Sequence, residues 1–437
     1  MRTLAITALA AAMALASGAV AAPAPQSEAQ IAARVAKVLA QTPLIDGHND
    51  FPWEVRERFA GKVGGFDMRG VLTKAPAAPG NPENHGGLMT DIPRLRAGHV
   101  GGQFWSVWIP VSITGPAAVK TTLEQIDIVK RLAARYPADL AMAYSAEDIV
   151  RAHKEGRVAS LIGVEGGHQI DDSMAVLRAY YALGARYLTL SHFTNNPWAD
   201  SATDDPAHHG LTPFGKAVVG EMNRLGMLVD LSHVSAETMR DALAVSKAPV
   251  IFSHSGARAV SDHPRNVPDD VLALVARNRG VVMANFATGY VSDARRRWNA
   301  EEAGETAREA SLFVGQPDAR KAAMAAWRSA HPKPDVTLAM VADHIEQIRR
   351  VAGVDCVGLG SDFDGIPDTP QGLEGVDRYP ALLAELARRG WSDEDLGKLA
   401  GGNLLRVLRE AEAVAKRLQG TAPSEATLAE LDGPPKP

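Results

Sequence analysis

Short apolar runs alternate with longer amphipathic stretches along most of this chain. Between most of the runs, apolar residues recur at the three-to-four-residue spacing of a helix face. Alternating strands and helices favour βαβ units and therefore a parallel β-sheet. The eight apolar runs span residues 44–50, 102–110, 159–167, 185–192, 227–233, 249–254, 281–286 and 357–363. The helical stretches between them span residues 121–135, 146–155, 173–183, 214–224, 236–246, 268–278 and 337–352.

Eight strand–helix units are the number found in a closed barrel, so the predicted fold class is α/β, a (β/α)8 TIM barrel. An open, doubly wound sheet is the structural alternative, but it would not explain why polar residues gather at so many strand ends. A first helix over residues 27–42 and final helices over 378–389 and 393–418 complete the pattern. The barrel domain is therefore expected over residues 27–418, followed by a mobile tail over 419–437.

Two long insertions interrupt this regular alternation. The first, residues 54–100, is rich in proline and glycine and follows the first strand. The second, residues 287–335, follows the seventh strand, and its charged, alanine-rich middle at 300–329 predicts helix. Both insertions follow the carboxyl end of a strand, which is the end where barrels build their active sites. We therefore expect them to form a lid or a wall of the site.

The amino-terminal residues have the pattern of a secretory signal peptide. Arg2 is followed by an apolar run from Leu4 to about Val20, and Ala19-Val20-Ala21 supplies the small residues of a cleavage site. A retained membrane anchor is the alternative, but the run is short and alanine-rich for a spanning helix. Residues 1–21 are therefore predicted to be a signal peptide, and the protein is expected to be periplasmic or secreted and soluble after its removal.

Composition and charge exclude some classes of partner. The chain has 437 residues, of which 46% are hydrophobic, so it can bury a large core. Its net charge is −5 and it has no basic stripe, so nucleic acid is not an expected partner. The single cysteine, Cys356, lies in an apolar run, so neither an intrachain disulfide nor a thiolate site is expected. The polar residues 431–437 do not resemble a lipid-anchor signal, so no stable membrane insertion is expected.

Six of the eight predicted strands end in a histidine or an acidic residue. The carboxyl ends of barrel strands converge at one mouth, so these side chains are expected to meet there. Imidazole and carboxylate are the ligands that zinc and manganese accept. One strand-end histidine is more often structural than a ligand, so the joint pattern carries this prediction. The residues are His48, Asp50, Glu165, His192, His233, His254 and Asp362.

Three other polar residues near these positions have plainer interpretations. Asp46 and Asp230 are predicted to be polar caps or partners that orient the ligands from behind. His168 follows Glu165 in an apparent loop and is interpreted as structural or as a supporting residue.

These motifs resemble the membrane (renal) dipeptidase family, the M19 metallopeptidases among the amidohydrolase-like, metal-dependent hydrolase barrels. The resemblance covers about residues 42–410, and it is specific because many long motifs occur in order. The matches include DGHNDFPW at 46–53, GVEGGH at 163–168, DLSHVS at 230–235, FSHS at 252–255 and GSDFDG at 360–365, with others at 101–106, 192–200 and 265–270.

The resemblance implies a binuclear site with two Zn²⁺ ions. His48 and Asp50 would hold one ion, His233 and His254 the other, and Glu165 would bridge them. Two cations held by a bridging carboxylate lower the pKa of a shared water, which would attack the peptide carbonyl.

The resemblance also implies roles around the metal ions. Asp362 would be the acid and base that moves the proton from the water to the leaving amine, and His192 would contact the substrate and stabilise the oxyanion. Arg265 offers a planar fork for the C-terminal carboxylate of the substrate, and Trp53 would line the pocket. Each role has an alternative. Arg265 could pair with acidic residues on the surface, Asp364 could replace Asp362, and Trp53 could serve in packing.

The predicted function is therefore that of a metallo-dipeptidase, a hydrolase acting on small dipeptides with a free C-terminal carboxylate. The resemblance implies tolerance of a C-terminal D-residue and action on related β-lactams. One alternative is another binuclear amidohydrolase acting on cyclic amides, lactones or phosphoesters, and a second is a non-catalytic periplasmic binding protein.

The chain lacks the disulfide-forming cysteines and the anchor signal of the mammalian members. Their membrane attachment and disulfide-linked pairing are therefore not expected, and a homodimer is a further alternative.

Overall fold

A computed structural model describes residues 26–77 and 87–433 of this protein. The predicted signal peptide, residues 1–21, lies outside the described residues. Within these ranges, nine strands form one sheet in which every pairing is parallel. They are β1 (Leu44–Asn49), β2 (Val100–Trp108), β3 (Leu140–Met142), β4 (Val158–Glu165), β5 (Ala185–Thr189), β6 (Leu228–Asp230), β7 (Ile251–Phe252), β8 (Val281–Ala284) and β9 (Val357–Leu359).

Helices follow or separate these strands in the manner expected for βα units. Before and within the first half of the barrel lie α1 (Glu28–Gln41), α2 (Phe51–Phe59), α3 (Ile92–Ala97), α4 (Gly115–Arg135), α5 (Ala146–Lys154), α6 (Met174–Leu183), α7 (Pro213–Leu225) and α8 (Ala236–Val245). The second half contains α9 (Asp269–Asn278), α10 (Thr288–Val291), α11 (Asp293–Leu312), α12 (Pro317–Ala330), α13 (Leu338–Ala352), α14 (Tyr379–Arg388), α15 (Asp393–Gly397), α16 (Asn403–Leu418) and α17 (Leu428–Asp432).

Eight of the strands close into a barrel, which confirms the predicted (β/α)8 architecture. The closed order is β1, β2, β4, β5, β6, β7, β8 and β9, with β9 pairing back onto β1. The additional strand β3 pairs with the first residues of β4, beside the point where β2 pairs with the same strand. The sequence did not predict β3, because three residues are too short to show an alternating pattern.

The barrel interior is filled by large apolar side chains. Phe104, Tyr187, Leu228, Ile251 and Met283 are all buried in one cluster. A Cβ atom at Gly163 would lie 1.9 Å from the Tyr187 ring, so this glycine leaves the space in which the ring sits. The filled interior leaves the strand ends as the place where a ligand can approach, as in other barrels of this kind.

The loops at the carboxyl ends of the strands are fixed by helix caps. The hydroxyls of Thr212 and Ser235 accept backbone N–H groups of the first turns of α7 and α8. Such N-caps satisfy orphan donors at the start of a helix and are worth about 1 kcal/mol each. They fix where the chain leaves each loop, and therefore where the strand-end side chains lie.

Both predicted insertions follow barrel strands at the carboxyl end. The first contains α2 and α3, and the second contains α10 and the antiparallel pair α11 and α12, in agreement with the helix predicted at 300–329. Arg295 of α11 contacts Asp368 beyond β9, which ties the second insertion to the barrel.

In the carboxyl-terminal segment, Asp432 of α17 accepts a hydrogen bond from the Thr212 hydroxyl, 2.6 Å away. Among residues 26–77 and 87–433, no helix combines the length and the apolar character needed to cross a membrane.

Candidate metal centre and active site

Glu165 lies at the centre of a cluster of buried imidazoles. It is the last residue of β4, whereas His233 and His254 follow β6 and β7. Its Oε2 atom lies 3.2 Å from His48 Nε2, and its Oε1 atom lies 3.4, 3.0 and 3.4 Å from the Nε2 atoms of His192, His233 and His254. The carboxyl ends of β1, β5, β6 and β7 thus place four imidazoles around the carboxylate at the end of β4.

Asp50 and Asp362 extend the cluster on the β1 and β9 side. His48 Nε2 lies 3.3 Å from Asp50 Oδ2. Ligand atoms of three sets of residues lie within 4.8 Å of one another: His48, Glu165 and His254; Glu165, His192 and His233; and His48, Asp50 and Asp362. Glu165 belongs to the first two sets, and His48 joins the first to the third.

The residues of this cluster fit a divalent cation. Two buried atoms that face the cluster, His48 Nε2 and Asp50 Oδ1, make no hydrogen bond within the described residues, although carboxylate oxygens lie 3.2 and 3.3 Å from His48 Nε2. Buried polar atoms are rarely left without a partner, so such atoms together indicate a ligand. The available donors are nitrogen and carboxylate oxygen, the set that zinc and related ions accept.

Hydrogen bonds behind the cluster fix the orientation of two imidazoles. Ser253 Oγ donates to Asp230 Oδ2 at 2.6 Å and lies 2.8 Å from His254 Nδ1. Because the serine hydroxyl gives its proton to Asp230, it accepts from His254 Nδ1–H, which leaves the Nε2 lone pair facing Glu165. His48 Nδ1 lies 2.9 Å from the Tyr187 hydroxyl, so its Nε2 atom also faces the cluster. Such partners fix the tautomer of histidines that bind metals.

Asp46 connects two strands of the site from behind. Its carboxylate accepts hydrogen bonds from Gln103 Nε2 at 2.9 Å, and from the backbone N–H and hydroxyl of Ser361 at 2.8 and 2.7 Å. Asp46 precedes His48 by two residues and Ser361 directly precedes Asp362. The contact therefore holds the β1 and β9 side chains of the cluster in a fixed relation.

Replacing Tyr187 with phenylalanine is expected to weaken metal binding by about ten- to a hundredfold, the usual effect of removing a partner of a metal-binding histidine. The substitution leaves His48 Nδ1–H buried without its hydrogen-bond partner. Competition titration with a chromogenic chelator measures the change. Tyr136→Phe is the matched control, because the Tyr136 hydroxyl is buried and accepts a hydrogen bond from Met68 N at 2.8 Å. Equal affinities for Tyr187→Phe and the wild type would contradict this expectation.

Two residues of the site have left-handed backbone conformations. The φ angles of His233 and Asp362 are 68° and 67°. This region is uncommon for residues other than glycine and costs of order 1 kcal/mol or more, so it persists where surrounding contacts impose it. The conformation turns each side chain inward just beyond the end of its strand.

Asp362, and not Asp364, points into the cluster. Asp362 Oδ2 accepts a hydrogen bond from Asn285 Nδ2 at 3.1 Å. Asp364 Oδ1 accepts instead from the backbone N–H of Met89 at 2.6 Å. Burial raises the pKa of Asp362 to about 8; the negative charges of Asp50 and Glu165 add to the rise, and His48 opposes it.

Metal affinity is expected to increase as the pH rises from 6 to about 8. In the protein without metal, Asp362 is protonated below about pH 8. Burial alone would lower the pKa of His48, but Glu165 and its neighbours raise it well above the usual value. A cation would displace the proton of its ligand His48, and its positive charge would lower the pKa of the adjacent Asp362, so acid weakens binding and binding releases protons. Calorimetric titration in buffers of different ionisation enthalpy measures the release. Equal affinities at pH 6 and pH 8 would contradict the expectation.

Arg265 lies beside the cluster, with only 1% of its surface exposed. It donates from Nη2 to the His254 carbonyl at 3.1 Å and from Nη1 to Ser255 Oγ at 3.3 Å. Its Nε atom is buried and finds no partner in the described part of the chain, and its guanidinium lies 5.4 Å from the centre of the Tyr290 ring. A buried guanidinium without a carboxylate partner in the described ranges can accept one from a ligand.

Arg265 does not pair with the acidic residues on the nearby surface, which was the alternative to a role in substrate binding. Asp269 accepts hydrogen bonds from Gln347, and Asp270 accepts one from Arg240 at 2.9 Å. The nearby acidic residues thus have other partners.

Trp53 packs against Trp108, which is not among the predicted site residues. The rings of Trp53 and Trp108 lie 4.8 Å apart, edge to face. Trp108 Nε1 donates to His192 Nδ1 at 3.4 Å. Trp108 is the last residue of β2, so its place at a strand end was a signal that could have predicted it.

Four further residues of the site also lie outside the predicted set. Ser106 donates to Glu165 Oε2 at 3.0 Å, and Tyr187, Asn285 and Tyr290 contact His48, Asp362 and Arg265 as described. Ser106 and Tyr187 lie inside strands whose interior positions the sequence could not distinguish from ordinary core.

A closed parallel barrel whose strand ends carry clustered imidazoles and carboxylates is the architecture of a barrel-type metal-dependent hydrolase. The model of the family described as membrane dipeptidase, peptidase family M19, matches residues 32–422. The chain belongs to this family. It is a metallo-dipeptidase, as the resemblance of its motifs implies.

Solved structures share the fold over nearly their whole length. The probable dipeptidase PvdM from Pseudomonas aeruginosa is 24% identical, with a TM-score of 0.71 over 89% of this chain and 100% of that chain. The dipeptidase AC of family M19 is 24% identical, with a TM-score of 0.68 over 85% and 98%. A metallopeptidase from Rhodobacter sphaeroides, liganded with a phosphinate mimic of the dipeptide L-Ala-D-Ala, is 23% identical, with a TM-score of 0.67 over 85% and 99%.

Proposed function

We propose that this protein is a zinc-dependent dipeptidase that uses two zinc ions to hydrolyse small dipeptides. The observation that carries this proposal is the position of Glu165, whose two carboxylate oxygens face different sets of imidazoles. His48 and Asp50 would hold one ion with Glu165 Oε2. His233 and His254 would hold the other with Glu165 Oε1. A carboxylate in this position suits a site that would hold two divalent cations.

The metal ions, when bound, would lower the pKa of a water and polarise the peptide carbonyl. The side chains of the protein supply the rest of the chemistry. Asp362 would take a proton from the attacking water and pass it to the leaving amine. His192, held by Trp108 at its Nδ1 atom, directs Nε2 into the site, where it would donate a hydrogen bond to the developing oxyanion.

Arg265 would select substrates with a free C-terminal carboxylate. Its buried guanidinium can pair with a carboxylate in two parallel hydrogen bonds, which fixes the substrate as well as binding it. Such a pair forms far more strongly away from water than on the surface. This would favour dipeptides over the interior of longer chains, in which the corresponding group is an uncharged amide.

A D-residue at the C-terminal position is part of the proposed substrate class. The Rhodobacter sphaeroides metallopeptidase carries a mimic of a dipeptide that ends in D-alanine. For the present chain, the buried side chains of Arg265 and Glu165 would fix the carboxylate and the peptide bond in the same way for either configuration of the C-terminal residue.

The proposed site of action is outside the cytoplasm. This rests on Arg2, the apolar run to Val20 and the small residues at Ala19-Val20-Ala21. Amino-terminal sequencing of the protein recovered from the periplasm or medium would test it. A mature protein beginning directly after Ala21 is expected, and a protein retained in the cytoplasm with Met1 intact would contradict export.

The function is tested with purified protein of known zinc content and a panel of L,L- and L,D-dipeptides, with a lactone and a phosphotriester assayed in parallel. We expect hydrolysis of the dipeptides, loss of activity when a chelator removes the metal, and recovery when zinc is restored. A protein with two bound zinc ions that leaves every dipeptide intact, or that prefers the lactone or the phosphotriester, would overturn the proposal.

A further inference from the structure

Phe193 is a large apolar side chain exposed at the mouth of the site. It is 45% exposed and directly follows His192 at the carboxyl end of the β5 segment. Its ring centre lies 4.2 Å from that of His192 and 5.2 Å from that of His233, edge to face in both pairs. An isolated exposed aromatic residue needs no explanation, but this one covers the edge of two imidazoles of the candidate centre.

The backbone around Phe193 is held in place by several hydrogen bonds. The Phe193 carbonyl accepts one from Thr203 Oγ1 at 2.9 Å, and the His192 carbonyl accepts one from the Ser201 hydroxyl. Asn196 Nδ2 donates to a carbonyl at the end of the strand, at 2.7 Å. Because the loop is anchored at these points, the phenyl ring is presented at a fixed position, as a rigid wall of a binding site requires.

Aromatic groups lie on two different sides of His192. Trp108, at the end of β2, lies 5.8 Å from the His192 ring and packs against Trp53. Phe193 lies on the β5 and β6 side, next to His233. His233 in turn lies 3.0 Å from His254, whose carbonyl accepts from Arg265. The Arg265 anchor and Phe193 therefore belong to one continuous part of the rim, from β7 through β6 to β5, while the two tryptophans belong to the β1 and β2 part.

We propose that Phe193 is a specificity-determining residue that packs against the side chain of the C-terminal residue of the dipeptide. This rests on the proposed function, in which Arg265 holds the C-terminal carboxylate. The residue bound through that carboxylate lies on the Arg265 part of the rim, and its side chain meets the phenyl ring. The favoured substrate class is therefore dipeptides whose C-terminal residue is apolar and large.

The test compares Phe193→Ala with the wild type on two series of dipeptides. One series is alanyl-glycine, alanyl-leucine and alanyl-phenylalanine, with the second residue in either configuration. The other is glycyl-, leucyl- and phenylalanyl-glycine. We expect kcat/KM for alanyl-phenylalanine to fall about five- to twentyfold more than for alanyl-glycine, mainly through KM, as for loss of one apolar contact. In the second series, we expect the loss to be independent of the size of the first residue.

Controls separate packing from other effects. Phe193→Leu keeps apolar bulk and is expected to retain most of the preference. Tyr144→Ala removes an aromatic residue of similar exposure, 41%, which lies against Arg186 near the amino end of β5, away from the mouth. It is expected to leave both series unchanged. Metal content measured for each variant shows whether the imidazoles beside the ring remain loaded.

The outcomes are distinct. A uniform loss over both series, a loss that follows the size of the first residue, or no change in preference would overturn the assignment of Phe193 while leaving the proposed function intact. A wild-type enzyme that hydrolyses no dipeptide of either series would overturn the proposed function and this inference together.

Discussion

Replacing Glu165 with glutamine is expected to lower kcat/KM by about a thousandfold or more and to reduce the bound metal, since both proposed ions lose a charged ligand. Glu165 lies within 3.4 Å of four imidazoles. Among the ion pairs of the described residues, no other carboxylate contacts more than one of these four rings. Burial alone would raise the pKa of Glu165, but the adjacent His48 and His192 lower it well below the usual value. The side chain is thus ionised at neutral pH, and glutamine keeps its shape while removing this charge.

Metal analysis and dipeptide hydrolysis measure the effect on the same preparation. Glu155→Gln is the matched control, because Glu155 precedes the same strand at the opposite end and pairs with Arg157 on the surface. Ser106→Ala removes only the hydrogen bond to Glu165 Oε2 and is expected to have a much smaller effect. A Glu165→Gln variant with full metal content and activity within tenfold of the wild type would refute the central role of this carboxylate.

Replacing Asp362 with asparagine is expected to lower kcat by about a hundred- to ten-thousandfold, the usual contribution of a general acid and base, with a small change in KM. Asparagine preserves the size of the side chain and can still accept the hydrogen bond from Asn285, but it cannot carry a proton between the water and the amine. The ligands His233, His254 and Glu165 are unchanged, so metal is expected to remain bound at their part of the site.

Asp364→Asn provides the comparison, since Asp364 lies two residues away and is partly buried. Burial raises the pKa of Asp364 to about 7, and its carboxylate bonds to the backbone at Met89 rather than facing the cluster. We expect this variant to keep kcat within about threefold, because its removal touches no proposed reacting group. A larger loss of kcat for Asp364→Asn than for Asp362→Asn would show that Asp364, and not Asp362, transfers the proton. Turnover by Asp362→Asn within tenfold of the wild type would exclude it as the acid and base.

The order of elements could be predicted from the chain alone because the pattern that specifies it is local. A buried barrel strand reads as a short continuous apolar run, and a covering helix as a stretch with helical spacing. The predicted runs nevertheless extend past the observed strands: the run at 249–254 contains only the two residues of β7. The apolar pattern continues into the residues beyond the strand, since these are also buried at the mouth.

The side chains of the cluster were also predicted from the chain, for a geometric reason. In a parallel barrel every strand ends at the same rim, so knowing that His48, Glu165, His233 and His254 end strands is enough to place them together. The structure brings together the seven predicted strand-end residues, with Arg265 and Trp53 at the edge. Their assigned roles stay predictions until the variants above are measured.

The sequence by itself therefore determined the barrel, the two insertions and the identity of the polar strand-end residues, because each depends on a pattern within a few neighbouring residues. Only the tertiary structure decided that Asp362 rather than Asp364 faces the cluster, that Tyr187 reaches His48 through the space left by Gly163, and that β3 lies beside the barrel. These features depend on backbone rotation at a single residue, or on contacts between strands far apart in the chain. No local periodicity carries that information.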